Sequence, residues 1–332
     1  MNILVTGGAG YIGSHIIEQL VKKKKNKVFI LDNLSTGYKK LINEKAFFIK
    51  GDIKNIKLLN KIFINYNIQN IIHLAACLNV NEAEKNKIKY YKNNIIGTKN
   101  LILASKNSCI KNFIFSSSCS IYGNVKGSVT EKRKPNPQGY YAYTKYMGEL
   151  LIKKYSKKYN YKYGILRYFN VAGASPSKKI GEIQTSHGHL IKNIAIQSLK
   201  KKPKINIYGN DYETKDGSCI RDYIHVFDLA RIHILGLNYM IKNKKSFILN
   251  CGYGHGYSVL EIINIFKNIK NKIRIIYKKR RSGDIAQVYS NTKKLNKLIK
   301  WKPKFNSIDK IIKTAIKWER IYHKTIRKKI NE

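Results

Sequence analysis

Tyr141 and Lys145 stand four residues apart, so on a helix they share one face. A phenol with an ordinary pKa of about 10 is a poor base at neutral pH. A neighbouring ammonium, joined by the positive charge of an oxidised nicotinamide, favours the phenolate and brings it toward the working range. The chain holds 24 tyrosines, so the spacing alone carries little weight. Within this cluster only Tyr141 has its lysine, because Tyr140 is followed four residues on by Thr144 and Tyr143 by Met147. Upstream, the apolar run 112–115 leads into Ser116, Ser117 and Ser118, which sets hydroxyls at the carboxyl end of a strand. From there Ser118 can bridge a substrate oxygen and the phenolate.

A second set of residues suits an anion. Thr6-Gly7-Gly8-Ala9-Gly10-Tyr11-Ile12-Gly13 follows the first apolar run directly and opens a helix through Tyr11 and Ile12. Gly7 permits a tight turn, Gly10 lets backbone approach a pyrophosphate, and Gly13 is expected to let the helix pack close to the sheet. The helix N-terminus adds free N–H groups and about half a positive charge. Asp32, 19 residues after Gly13, ends the next apolar run, where a carboxylate accepts hydrogen bonds from an adenosine ribose. An acid at that place favours NAD over NADP, and Asn33 follows it with no basic residue. Asp52 and Ile53, after the third run, are candidate adenine contacts.

These groups need a scaffold that brings strand ends together. Apolar runs at 3–5, 27–31, 46–49, 70–74, 111–115 and 163–167 alternate with helical patterns at 11–21, 54–66, 93–105 and from about Tyr141. That alternation predicts an α/β fold, a Rossmann-like doubly wound parallel sheet whose ligands bind outside the carboxyl ends of its strands. From Asn170 the texture becomes loop-rich. Two regions are expected: a cofactor domain at 1–170, and a smaller mixed α/β substrate domain at 171–332 interleaved with it. In the second, 205–208 reads as a strand, and 258–267 and 308–322 as helices.

Composition narrows the classes. With 332 residues and 43% hydrophobic, the chain can bury a sizeable core, which argues against disorder. Its net charge of +46 invites a nucleic-acid reading. The lysines are scattered, however, with no zinc-finger, helix-turn-helix or aromatic RNA-reading motif, so no specific nucleic-acid partner is expected. Five well-separated cysteines suggest neither zinc nor disulfides, and His187-Gly188-His189 has no cysteines near it, so no metal is expected. The opening apolar run is too short for a signal segment or a membrane span, and cytoplasm is the expected location.

Four further segments are specific. Phe113-Ile-Phe-Ser-Ser-Ser118, Leu166-Arg-Tyr-Phe-Asn170, Tyr208-Gly-Asn-Asp-Tyr212 and Arg221-Asp-Tyr-Ile-His225 resemble the UDP-glucose 4-epimerases of the extended short-chain dehydrogenase/reductase superfamily. With the glycine loop and Tyr141-x-x-x-Lys145, the resemblance runs from Met1 to about Trp318. It implies a resident NAD that takes a hydride from C4 of a UDP-hexose while Tyr141 removes the 4-hydroxyl proton through Ser118. The 4-keto sugar then turns and takes the hydride back on its other face. The same resemblance gives Lys145 the nicotinamide ribose and Asn94 the nicotinamide side. Arg221 and Arg281 become a pyrophosphate clamp, Asp284 the uridine-ribose acid, and Asn170 a phosphate contact. Leu190, Ile207 and Tyr208 become a uracil pocket, and Val288 a gate whose small side chain leaves room for a 2-acetamido group. The segment Leu78-Asn79-Val80 departs from the family pattern by lacking a lysine. A homodimer is implied through 93–105 and 143–155, with Leu101, Leu150 and Leu151 outward. A 4,6-dehydratase needs an acid/base pair where this chain has Cys119 and Ser120. Another UDP-sugar, or a binding protein on the same fold, stays open.

Overall fold

The computed structural model describes residues 1–183, 188–270, 272–281 and 284–326. The first half runs β1 (Asn2–Thr6), α1 (Tyr11–Leu20), β2 (Lys27–Asp32), β3 (Phe47–Lys50), α2 (Ile56–Tyr66), β4 (Asn70–His73), α3 (Val80–Lys85), α4 (Lys87–Tyr90), a π-helical turn (Tyr91–Ile96), α5 (Gly97–Ala104), β5 (Asn112–Ser118), β6 (Gly127–Val129), α6 (Tyr140–Tyr159) and β7 (Lys162–Tyr168). The second half adds β8 (Asn170–Ala172), α7 (Leu190–Gln197), β9 (Lys204–Tyr208), β10 (Ile220–His225), α8 (Val226–Asn243), β11 (Phe247–Cys251), β12 (Gly256–Ser258), α9 (Val259–Lys267), β13 (Arg274–Lys278), β14 (Gln287–Ser290), α10 (Lys293–Ile299) and α11 (Ile308–Ile321).

Seven strands form one parallel sheet in the order β11-β7-β5-β4-β1-β2-β3, reversing direction of growth between β1 and β4. Alternation along β1 explains why both faces are covered. Ile3 and Val5 pack with Ile16 and Ile17 of α1 and with Leu229, Leu237 and Met240 of α8. Leu4 points the other way, into a cluster with Ile62 and Phe63 of α2, Leu101 and Ile102 of α5, and Ile152 of α6. The expected parallel α/β sheet is thus present.

Beyond Asn170 the structure is more regular than the loop-rich reading. The segment expected to be loop after Asn170 begins with the strand β8, paired to β10. The chain also returns to the first sheet: β11 becomes its edge beside β7, and α8 covers β1. Conversely, β6 leaves the first half to pair with β14 in a second sheet of order β12-β10-β14-β6. The helix expected over 93–105 begins earlier, at Lys87, and runs through the π-helical turn, with the short α3 set off before it by a break at Asn86. Leu101, expected to face outward, is fully buried, because its turn of α5 faces the sheet. Leu151 packs against the same core, and only Leu150 is exposed.

Candidate active site

The glycine loop joins β1 to α1. Gly7 sits at φ +72°, and a Cβ there would lie 2.8 Å from the Ala75 nitrogen, so only glycine serves. Gly13 was expected to bring the helix close to the sheet. Its actual constraint is the loop itself, since a Cβ would fall 2.3 Å from the Gly7 oxygen. Gly8 makes the close approach to the sheet: a Cβ there would meet Ile30 Cγ2 at 2.7 Å and Ile17 Cδ1 at 2.8 Å. Gly10 is the N-cap of α1 and offers no side chain to the first-turn amides. Ile12 packs against the core, and the Tyr11 hydroxyl donates to the Gly173 carbonyl at 2.6 Å, tying the loop to the second half.

Asp32 closes the far side of this cradle. One carboxylate oxygen accepts from Ala9 N at 2.9 Å and the other from Leu34 N at 2.8 Å. Burial raises its pKa, while those two backbone bonds oppose the rise. An ionised carboxylate has about four acceptor sites, so two remain for ribose hydroxyls. Asn33 Nδ2 donates to Asp52 at 2.9 Å, fixing the two at the rim. Ile53 is buried against Gly97, so its side chain belongs to the core. A turn that admits only glycine, a helix start without a side-chain cap, and an acid with spare acceptors together fit a dinucleotide.

The reactive residues gather at the carboxyl ends of β4 and β5. The serine run is strand rather than turn, with Ser118 the last residue of β5 and the cap of a 3₁₀ turn, Cys119–Tyr122. Ser118 Oγ accepts from Ser120 N at 3.2 Å and from Ser120 Oγ at 2.9 Å, and it neighbours the Tyr141 phenol, whose anion it favours. One helical turn on, Lys145 is buried; its ammonium donates to Ser116 O at 2.9 Å and lies 6.0 Å from the centre of the Tyr141 ring. Burial drops the Lys145 pKa to about 8, against a smaller upward pull from Cys77. Burial likewise lifts the Tyr141 phenol, opposed by Ser118 and reinforced by Cys119. The expected lowering of the phenol by Lys145 is therefore absent from the chain by itself: desolvation wins, and the ammonium sits over the ring.

Asn94 is committed to the protein. Its oxygen accepts from Cys77 N at 2.8 Å, while its nitrogen donates to Cys77 O at 3.1 Å and Thr144 Oγ1 at 3.0 Å. It thereby ties the loop after β4 to α6. Beneath lies His73, a residue that the sequence did not single out. Thr98 spends its one proton on Asn94 O at 2.6 Å, so it must accept from His73 Nε2 at 2.9 Å; His73 Nδ1 then accepts from Thr6 at 2.6 Å. Burial, with Lys145 nearby, drops the His73 pKa to about 3 and keeps this imidazole neutral.

The expected sugar-nucleotide residues divide. Arg281 donates to Asp284 at 2.9 Å through Nε, and Arg221 Nη2 lies 4.0 Å from the same carboxylate. Two guanidinium groups from different parts of the chain thus converge on one acid, and Arg281 also covers the Tyr208 ring at 4.9 Å. Tyr223 stands opposite Asn170 in the β10–β8 pair, and that asparagine opposes the rise that burial gives the Tyr223 phenol. Ile207 was expected to line a pocket beside Tyr208. Strand alternation sends it instead into the core, 1% exposed, while Tyr208 faces out. Leu190, at the start of α7, packs on that same core. Val288 lies opposite Arg221 in the β10–β14 pair, in an apolar cluster with Val129 and Phe169 against which Cys119 and Tyr146 pack.

A buried polar network behind the site was also missed. Glu149 of α6 accepts from Ser117 at 2.6 Å and from Arg167 at 2.9 and 2.8 Å; Arg167 also donates to the Tyr122 hydroxyl at 2.9 Å. Tyr122 in turn donates to Asn250 of β11 at 2.7 Å. Charged residues in a sequence read as surface, and only the fold shows them paired. Among the described residues no cluster suited to a metal ion is found, and His187 lies outside them.

Comparison with known proteins agrees with this geometry. Residues 3–252 match the model of the NAD dependent epimerase/dehydratase family. A UDP-glucose 4-epimerase of Lactobacillus helveticus is 42% identical over 327 residues, 98% of each chain. A crystal structure of a UDP-glucose 4-epimerase superposes with a TM-score of 0.93 at 37% identity, covering 98% of this chain and 99% of that one. A UDP-Glc/GlcNAc 4-epimerase from Campylobacter jejuni gives 0.83 at 37% identity, covering 96% and 99%. A glycine cradle beside Asp32, a Ser118–Tyr141–Lys145 corner, and relatives similar over their whole length make this chain a member of the NAD dependent epimerase/dehydratase family, of its UDP-glucose 4-epimerase kind.

Proposed function

We propose that this chain interconverts UDP-galactose and UDP-glucose by reversible hydride transfer at C4 with NAD as its cofactor. The observation that carries the reading is the meeting of Ser118, Tyr141 and Lys145 next to the glycine cradle. When bound, NAD supplies a hydride acceptor and donor, so the reaction has no net redox change. Gly7, Gly10 and Gly13 leave backbone room for its pyrophosphate, while the amides of Tyr11 and Ile12 face the charge. Asp32, Asn33 and Asp52 hold the adenosine side, with the Ile53 backbone. Tyr141 takes the 4-hydroxyl proton with Ser118 alongside and returns it after the sugar has turned; general acid–base help of this kind contributes about 10²–10⁴-fold. Lys145 holds the nicotinamide ribose, and Asn94 positions α6.

Arg221 and Arg281 grip the pyrophosphate, a task that suits planar guanidinium groups. Asp284 takes the uridine ribose, Asn170 a phosphate oxygen, and Leu190 with Tyr208 the uracil. The domain split at 170 is proposed on the same grounds, each half lending strands to the other. The free cysteines fit a cytoplasmic setting. Tyr143 and Leu150, exposed on α6, are the natural face for a homodimer.

The test is turnover of UDP-galactose by the purified protein without added NAD. Tyr141→Phe should cut kcat by about 10²–10⁴-fold. A wild-type protein inactive on UDP-galactose yet active on a UDP-uronate or UDP-pentose would move the reading to that sugar. Val288 favours a wider pocket, since it brings only a small side chain to the apolar cluster on which Cys119, next to Ser118, packs. The protein should therefore also turn over UDP-N-acetylglucosamine, and Val288→Tyr should remove that activity selectively. Equal loss on both substrates would refute the gate.

A further inference from the structure

The environment of Ser118 fixes the direction of its hydrogen bond. A serine hydroxyl has one proton to give and two acceptor sites. Both acceptor sites of Ser118 are filled by one neighbour, the Ser120 N–H at 3.2 Å and the Ser120 hydroxyl at 2.9 Å. What Ser118 has left for Tyr141, the neighbouring phenol whose anion it favours, is its own proton. We propose that Ser120 is a positioning residue that orients the Ser118 hydroxyl as a donor to the Tyr141 oxygen and so favours the phenolate form of Tyr141. The inference rests on the reading of Ser118 and Tyr141 given above.

The chemistry follows from which form each arrangement favours. A proton donated to the phenolic oxygen stabilises its anion, whereas a Ser118 that accepts from the phenol stabilises the protonated form. Without the Ser120 hydroxyl, one acceptor site of Ser118 opens and the second arrangement becomes available. The proton balance is unchanged: the substrate O–H breaks as the Tyr141 O–H forms, and the reverse occurs on return. Among the described residues, the titratable groups facing Tyr141 are Lys145 on its own helix, Cys119 beside Ser118 and Tyr168 on β7. A change at Ser120 leaves all three in place. Ser120 N–H also survives any substitution but proline, so the turn keeps its backbone bond to Ser118.

The experiment is the pH profile of kcat for UDP-galactose with Ser120→Ala and Ser120→Thr, each purified with its resident NAD. Ser120→Ala should move the acidic limb up by about one pH unit, lowering kcat about tenfold below it, with KM within about twofold. Ser120→Thr, which keeps a hydroxyl, should restore the wild-type limb. An unmoved limb with a lower Tm would mean that the hydroxyl only braces the turn, and a raised KM with an unmoved limb would mean that it binds substrate; either overturns the proposal. Tyr141→Phe separates the two readings. If that variant keeps activity across the pH range, the role of Tyr141 fails; if it is inactive while Ser120→Ala is normal, only the role of Ser120 fails.

Discussion

Lys145 is a cation held where water does not reach, with its pKa drawn down to about 8 from an ordinary value near 10.5. The unfolded chain binds this proton more tightly than the folded one. Between about pH 8 and the unfolded value, stability therefore rises with pH, and below about 8 the whole cost of the buried charge is present. Lys145→Met removes that charge. It should abolish turnover yet stabilise the protein at pH 7.5 by on the order of 2 kcal/mol, a gain that shrinks toward pH 10. Urea denaturation of both proteins at the two pH values tests this, and a pH-independent difference would refute it. The placement of Lys145 beside Tyr141 was legible because four-residue spacing on a helix survives any tertiary context. Ile207 was not, because neighbouring strand residues face opposite ways and a motif match does not say which one faces the ligand.

Helix α6 carries the reactive pair on one turn and the buried anchor Glu149 on the next. Through Ser117 that anchor reaches β5, and through Arg167 it reaches β7. Removing one partner of a buried pair leaves the other charge uncompensated, at a cost of about 3–5 kcal/mol. Arg167→Met should lower stability by that amount, measured by urea denaturation, and should reduce kcat at temperatures where the protein is still folded. A loss below about 1 kcal/mol would show that water or Lys153, 3.8 Å from Glu149, replaces the missing partner. The strands of the parallel sheet up to β7, and α1, α2, α5 and α6 between them, were legible because each carries its own local apolar period. α8 and β11 were hidden for a different reason. Residues 226–243 have a helical apolar spacing at Leu229, Ile232, Leu237 and Met240, but the sheet they serve begins over two hundred residues earlier. Strands of three residues, such as β6, β8 and β12, are too short to show a period at all.

At the scale of the molecule, topology sorts the charge. Segments that enter the parallel strands lie at their amino ends, opposite the site. Those segments include the run Lys22–Lys25 before β2, Lys157 and Lys158 before β7, and Lys244 and Lys245 before β11. Helix ends there also favour cations. Among the described residues the cations placed at the site are fewer: Lys145, buried beside Tyr141, and Arg221 with Arg281, already sharing Asp284. On the proposed function, a nucleotide sugar with a charged pyrophosphate would be drawn by the net +46 from a distance and held by the two arginines on arrival. The two contributions separate with salt, because the screening length is about 30 Å at 0.01 M and about 8 Å at 0.15 M. kcat/KM for UDP-galactose should fall steeply between those salt concentrations and level off above them, with kcat unchanged. Replacing Lys22–Lys25 by glutamine should lower only the low-salt value. Arg281→Ala should raise KM at every salt concentration, because a direct guanidinium contact to the pyrophosphate is too short for salt to screen. If the lysine replacement acted equally at both salt concentrations, the distant edge would be touching the substrate or altering the fold, and the separation of far field from near clamp would be wrong.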